Sequence, residues 1–172
     1  MKLFENTINE EYKFKGRMIN LKIQEVELPN GRLSSREIVE HPGGVAIVAY
    51  LDADTLILVE QFRKPIDRIL LEIPAGKLEH GEDPRVCGIR ELEEETGYKA
   101  EKFEYLGKIV TTPGFSNEYI YFFKAENLYK GQVNMDEDEF INLKTYKISE
   151  IKKMVKSGEI IDGKTISALA YI

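Results

Sequence analysis

The stretch Gly76–Tyr98 reads GKLEHGEDPRVCGIRELEEETGY, and four of its glutamates, Glu91, Glu93, Glu94 and Glu95, fall within five residues. On a helix Glu91, Glu94 and Glu95 stand at i, i+3 and i+4 and share one face. Like charges at that spacing repel by roughly 0.2–0.5 kcal/mol per pair. A solvated acidic face is the plain alternative, but such faces usually carry Lys or Arg four residues from their acids. Here Arg85 and Arg90 lie only on the N-terminal side, and no lysine follows until Lys99. The acids also crowd the end of the helix, where the macrodipole disfavours negative charge. A hard divalent cation reverses both penalties, because Mg²⁺ and Mn²⁺ take carboxylate oxygens. The helix has sharp ends: Asp83 suits the N-cap, Pro84 the first helical position, and Gly97 a left-handed stop.

Outside this stretch the chain narrows the choice of chemistry. Its 172 residues with 42% hydrophobic content predict one domain over 1–172 with a sizeable core. The net charge of −6 speaks against non-specific nucleic-acid binding. No apolar run approaches a membrane span, and MKLFENTINEEYKF lacks the hydrophobic region of a signal peptide, so no membrane partner is expected. One cysteine, Cys87, leaves no intramolecular disulfide and reads as a small core residue; a cytoplasmic setting is expected. His41 and His80 accompany no nucleophile motif, and neither G-x-S-x-G nor a Walker A loop occurs. Water activated by metal and carboxylate is the economical chemistry.

Local patterning predicts antiparallel strands within 12–28 and 32–40, and a buried strand over 43–51. A turn at 52–55 leads into TLILVEQFR, and a strand follows over 70–78. After the acidic helix, strands are expected at 103–112, 119–126 and near 139–147, and helices at 148–157 and 164–171. Strands around one early and two late helices make an α/β (α+β) fold.

The pattern G-x5-E-x7-R-E-U-x-E-E-x-G-U, with U a bulky aliphatic, resembles the Nudix box. Gly76, Glu82, Arg90, Glu91, Leu92, Glu94, Glu95 and Gly97 match eight of its nine defined positions, and Tyr98 departs at a packing site. Cys87-Gly88 stands where many members carry two alanines, and a mid-helix glycine costs about 1 kcal/mol against alanine. The flanks, with Gln61-Phe62-Arg63, Glu72-Ile73-Pro74-Ala75-Gly76 and the loop Thr112-Pro113-Gly114-Phe115-Ser116, resemble the ADP-ribose pyrophosphatase subgroup. Pro113 lies 16 residues beyond Gly97.

This resemblance implies an α/β/α sandwich around a mixed β-sheet with N-terminal antiparallel strands, in which 1–40 is a dimerisation element and 41–172 the core. It implies Mg²⁺ (or Mn²⁺) held by Glu91, Glu94, Glu95, Glu139 and the Ala75 carbonyl. Glu137 is then the general base, or Glu94 if 136–139 is only a solvated acidic loop. Gly76, Glu82, Arg90 and Gly97 hold the box together, Arg90 by pairing with a glutamate or, alternatively, by touching substrate. Arg36, Arg63, Phe115 and Ser116 are implied substrate contacts; Tyr12 and Phe14 are aromatics that can stack on adenine. The implied reaction is hydrolysis of ADP-ribose to AMP and ribose 5-phosphate by a homodimer. Rival readings are a Nudix enzyme for a nucleotide sugar or oxidised nucleotide, and a non-catalytic nucleotide-binding regulator.

Overall fold

The computed structural model describes residues 3–132 and 140–172, which form two compact units. The first comprises the chain up to Gly43 together with Val110–Tyr119. Its three strands, β1 (Asn6–Lys15), β2 (Asn20–Glu27) and β3 (Leu33–Glu40), form an antiparallel sheet in the order β1-β2-β3. The region expected as strand over 12–28 is thus two strands. A tight turn closed by Gly16 N–H donating to Ile19 O (2.9 Å) separates them, and β1 begins at Asn6. Its polar opening residues, Asn-Thr-Ile-Asn-Glu-Glu, hide this strand from a hydrophobic-pattern reading; every residue of β1 is exposed. The loop after Val110 docks on β3 through Val39 N–H to Phe115 O (2.7 Å) and a parallel bridge between Val39 and Ser116.

The second unit is built on a mixed seven-stranded sheet. Its strands are β4 (Gly44–Tyr50), β5 (Thr55–Arg63), β6 (Arg68–Glu72), β7 (Ala75–Lys77), β8 (Tyr98–Val110), β9 (Tyr119–Lys130) and β10 (Ile141–Lys147). The main order is β10-β5-β4-β9-β8, with β6 beside β5 and β7 beside β4. Strand β4 runs parallel to β9 and antiparallel to β5 and β7. The expected single strand over 70–78 is broken between β6 and β7 at Ile73-Pro74, since proline cannot donate to a ladder. The expected strand at 103–112 instead begins at Tyr98, directly after the helix.

Alternate residues of β4 explain the layers. Val45, Ile47 and Ala49 pack with Cys87 and Leu92 of α1 (Pro84–Thr96) and with Phe103 and Phe123. Ala46 and Val48 point the other way, toward Ile151 of α2 (Ile148–Ser157) and Ala168 of α3 (Gly163–Ala168). One helix on one face and two on the other make an α/β/α sandwich. The helix expected over 164–171 is α3 followed by a 3-10 turn at Leu169–Tyr171. Gly88 is explained by packing: a Cβ there would stand 2.8 Å from the Phe103 ring, which stacks on Phe123 at 4.9 Å.

Candidate functional site

Helix α1 is held at both ends by its own sequence. The Asp83 carboxylate accepts from Arg85 N–H (2.9 Å) and Val86 N–H (3.2 Å), satisfying two orphan donors of the first turn. At the other end Gly97 takes φ 69° and returns its N–H to Glu93 O (2.8 Å). Cys87 faces inward and is fully buried, and burial pushes its thiol up to about 12, which removes it as a nucleophile.

The four clustered glutamates part company along the helix. Glu91 and Glu95 are buried, whereas Glu94 is partly exposed. Glu93 turns aside to Lys99 (3.1 Å) and accepts from Gln132 N–H (3.1 Å). Glu95 Oε2 accepts from Ala75 N–H at 3.0 Å. The Glu91 carboxylate lies against Gly76 so closely that a Cβ there would stand 1.8 Å from the carboxyl carbon. Any side chain at this position would displace that carboxylate from where it lies. The short strand β7 and the last turns of α1 are therefore joined through the two residues Ala75 and Gly76.

Arg90 organises the outer side of the same turn. Its Nε and Nη2 donate to the two Glu82 oxygens (3.1 Å each), and Nη1 donates to Glu91 (2.8 Å) and Glu94 (2.8 Å). Burial works against the Arg90 charge, but the Glu82 bond, the Glu91 charge and the Glu94 bond outweigh it and raise its pKa. In return Arg90 holds the Glu82 carboxyl below the usual carboxylate range. Glu82 also accepts from Glu79 N–H (3.0 Å), which ties the loop ahead of the helix to the same guanidinium.

Among the described residues no group of three or more His, Cys, Asp or Glu side chains stands ready-spaced around a metal position. The donor set nevertheless fits a hard divalent ion. It is all oxygen, Glu91 and Glu94 share the single guanidinium of Arg90, and Glu91 and Glu95 are buried against the Gly76 and Ala75 backbone. Glu137 and Glu139, expected as base and extra ligand, lie outside the described residues.

The expected substrate contacts fall in both units. In the first, Arg36 on β3 binds Glu5 through Nε (2.9 Å) and Nη2, and its Nη1 donates to Ser34 Oγ (3.0 Å) and Ser35 O (2.9 Å). Phe115 is exposed, and Ser116 Oγ accepts from Glu118 N–H (3.2 Å). In the second, Arg63 closes a bidentate pair with Glu72, Nε to Oε1 at 2.9 Å and Nη2 to Oε2 at 2.7 Å. Glu72 is fully buried and also bonded by Lys164, which reaches Asp162 at 3.1 Å. Sequence reading missed this group. The available signal was one acid inside the apolar run Leu70-Leu71-Glu72-Ile73-Pro74, a position that needs a charged partner if the run is core.

Three likenesses place the chain. It is 48% identical over 174 residues to a methanol dehydrogenase activator of Bacillus methanolicus, covering 99% of this chain and 94% of that protein. It is 46% identical over 172 residues to an ADP-ribose pyrophosphatase of Bacillus subtilis, covering 99% and 93%. The fold matches a crystal structure of an ADP compounds hydrolase with a TM-score of 0.87 at 22% identity, over 99% of this chain and 94% of that one. The model of the NUDIX domain matches residues 40–169, a span that contains the glycine, the arginine and every box glutamate described above, and the chain belongs to the NUDIX family.

Proposed function

We propose that this chain is a divalent-metal-dependent hydrolase that cleaves the diphosphate of ADP-ribose to AMP and ribose 5-phosphate. The observation that carries the reading is the junction of Glu91 and Glu95 with the Ala75–Gly76 backbone, which buries two carboxylates at the end of a helix that has no basic residue in its last turn. The likeness to an ADP-ribose pyrophosphatase across nearly the whole chain supports the substrate.

Glu91, Glu94 and Glu95, with the Ala75 carbonyl, would hold Mg²⁺ or Mn²⁺. The chemistry supplied by a bound divalent ion is neutralisation of the diphosphate charge and acidification of the attacking water. Arg90 keeps Glu91 and Glu94 aimed and the Glu82 loop in place. In the reaction a water oxygen bonds to one phosphorus while that phosphorus loses its bond to the bridging oxygen. The water's proton passes to a carboxylate, Glu137 on sequence grounds or else Glu94. Residues 1–40 serve as the dimerisation element of a homodimer in this reading.

The test is product analysis with Mg²⁺ on ADP-ribose, ADP-glucose, GDP-mannose, NADH and 8-oxo-dGTP. Preferred conversion of ADP-ribose to AMP and ribose 5-phosphate is expected. Preference for a nucleotide sugar keeps the catalytic helix and discards the substrate. Failure on all five, with metal bound, leaves a nucleotide-binding module. Glu137→Gln is expected to lower turnover with little change in metal affinity; an unchanged rate moves the base to Glu94.

A further inference from the structure

The four residues from Glu72 to Ala75 are each fastened by a different bond. The Glu72 carboxylate is gripped by Arg63 and Lys164. Ile73 N–H donates to Thr165 Oγ1 (2.9 Å), and Pro74 O accepts from Ile47 N–H (2.8 Å). Ala75 N–H donates to Glu95 (3.0 Å). Two of these fastenings come from α3, whose N-cap Asp162 accepts from Thr165 N–H (2.9 Å), from Thr165 Oγ1 (2.6 Å) and from Lys164 (3.1 Å). Thr165 is itself buried, so its hydroxyl has both of its bonds inside the protein and one orientation.

We propose that Lys164 and Thr165 are positioning residues for the metal site, holding Glu72 and Ile73 so that the Ala75 backbone meets Glu95 in the geometry that a divalent ion requires. The inference rests on the hydrolase reading above. Two cations, Arg63 and Lys164, meet two carboxylates, Glu72 and Asp162, so the cluster balances its own charge. The Arg63 charge is favoured first by its Glu72 hydrogen bond and, more weakly, by Glu95, which sets the cluster within electrostatic reach of the box helix. Removing Lys164 leaves a buried carboxylate with one cation fewer, and Glu72 then relaxes toward Arg63 and draws the 73–75 backbone with it.

The experiment is Mn²⁺ binding to the nucleotide-free full chain, followed by electron paramagnetic resonance, for the wild type and for Lys164→Met, Lys164→Arg, Thr165→Val and Lys147→Met. Circular dichroism at the same temperature establishes that each is folded. Partners that orient metal ligands typically cost 10–100-fold in affinity when lost. Lys164→Met, acting through one more bond, is expected to weaken Mn²⁺ binding about 10-fold, toward the low end of that range. It also lowers kcat, with KM for ADP-ribose little changed at saturating metal. Lys164→Arg restores most of the affinity. Lys147, a surface partner of Asp54, serves as the control and leaves it unchanged. A merely structural lysine lowers the melting temperature without moving Mn²⁺ affinity below it. Thr165→Val, which keeps the Lys164–Glu72 pair, gives the same shift and decides the matter if Lys164→Met does not fold. Unchanged affinity in the folded variants overturns the inference alone, and absence of Mn²⁺ binding by the wild type overturns it together with the hydrolase reading.

Discussion

At Gly76 a hydrogen atom stands where a methyl group would overlap the Glu91 carboxylate, 1.8 Å from its carboxyl carbon. Gly76→Ala therefore forces the Glu91 carboxylate, the far end of a flexible side chain, out of its place against β7. The expected outcome is weakened Mn²⁺ binding with the fold retained by circular dichroism. Glu95→Gln is milder in shape, since an amide oxygen can still accept from Ala75 N–H. It is expected to lower turnover by orders of magnitude with the fold retained by circular dichroism, and near-normal turnover in a metal-saturated assay would count against the ligand assignment. Glu72 is the residue whose charge serves the fold. Burial raises its pKa, but the Arg63 hydrogen bonds and the Lys164 charge more than offset that, and the net shift is downward. A carboxyl depressed on folding contributes stability above its unfolded pKa of about 4.3, and that contribution is lost as pH falls through the lower folded value. The melting-temperature gap between wild type and Glu72→Gln is thus expected to be widest near neutral pH and to narrow below about pH 4. A gap that widens in acid would contradict the sign.

At the scale of elements, what was legible in the sequence is what is decided locally. Helix α1 begins and ends where Asp83, Pro84 and Gly97 say it must, because caps act within three or four residues. Removing the cap by Asp83→Ala is expected to cost about 1 kcal/mol, measured by chemical denaturation, and to loosen the turn that carries Arg85 and Val86. Strand β4 was legible as buried, but Gly-Val-Ala-Ile-Val-Ala-Tyr carries no alternation to show which residues face α1 and which face α2 and α3. Strand β1 begins earlier than its pattern indicates, because its opening residues Asn6–Glu11 carry no alternation either. The box carboxylates were legible because they recur within one turn of one helix. The Glu72–Lys164 pair was not, since its partners lie 92 positions apart and only the folded chain brings α3 to the end of β6. Sequence proximity explains the successes, and a tertiary contact the missed Glu72–Lys164 pair.

At the scale of the whole molecule, the N-terminal sheet presents apolar surface that its own unit does not cover. Leu3, Phe4, Ile8, Phe14, Met18 and Leu33 are each more than half exposed, and this unit has no helix among its described residues. An antiparallel sheet with one face in water ordinarily turns polar residues outward, so apolar groups left exposed along it offer an interaction surface. Strand β1 is also an edge, with one side of its backbone outside the sheet order, and edges left open in this way invite a second strand. A second copy of the chain satisfies both needs at once and accords with the proposed homodimer. Sedimentation equilibrium is expected to return twice the 19.8 kDa chain mass. Charges placed in this surface by Phe4→Asp with Ile8→Asp are expected to return the monomer mass, because burying two unpaired carboxylates costs more than the apolar contact gains. A wild type that sediments as a monomer at micromolar concentration would leave this face to a different partner and remove residues 1–40 from the role of dimerisation element.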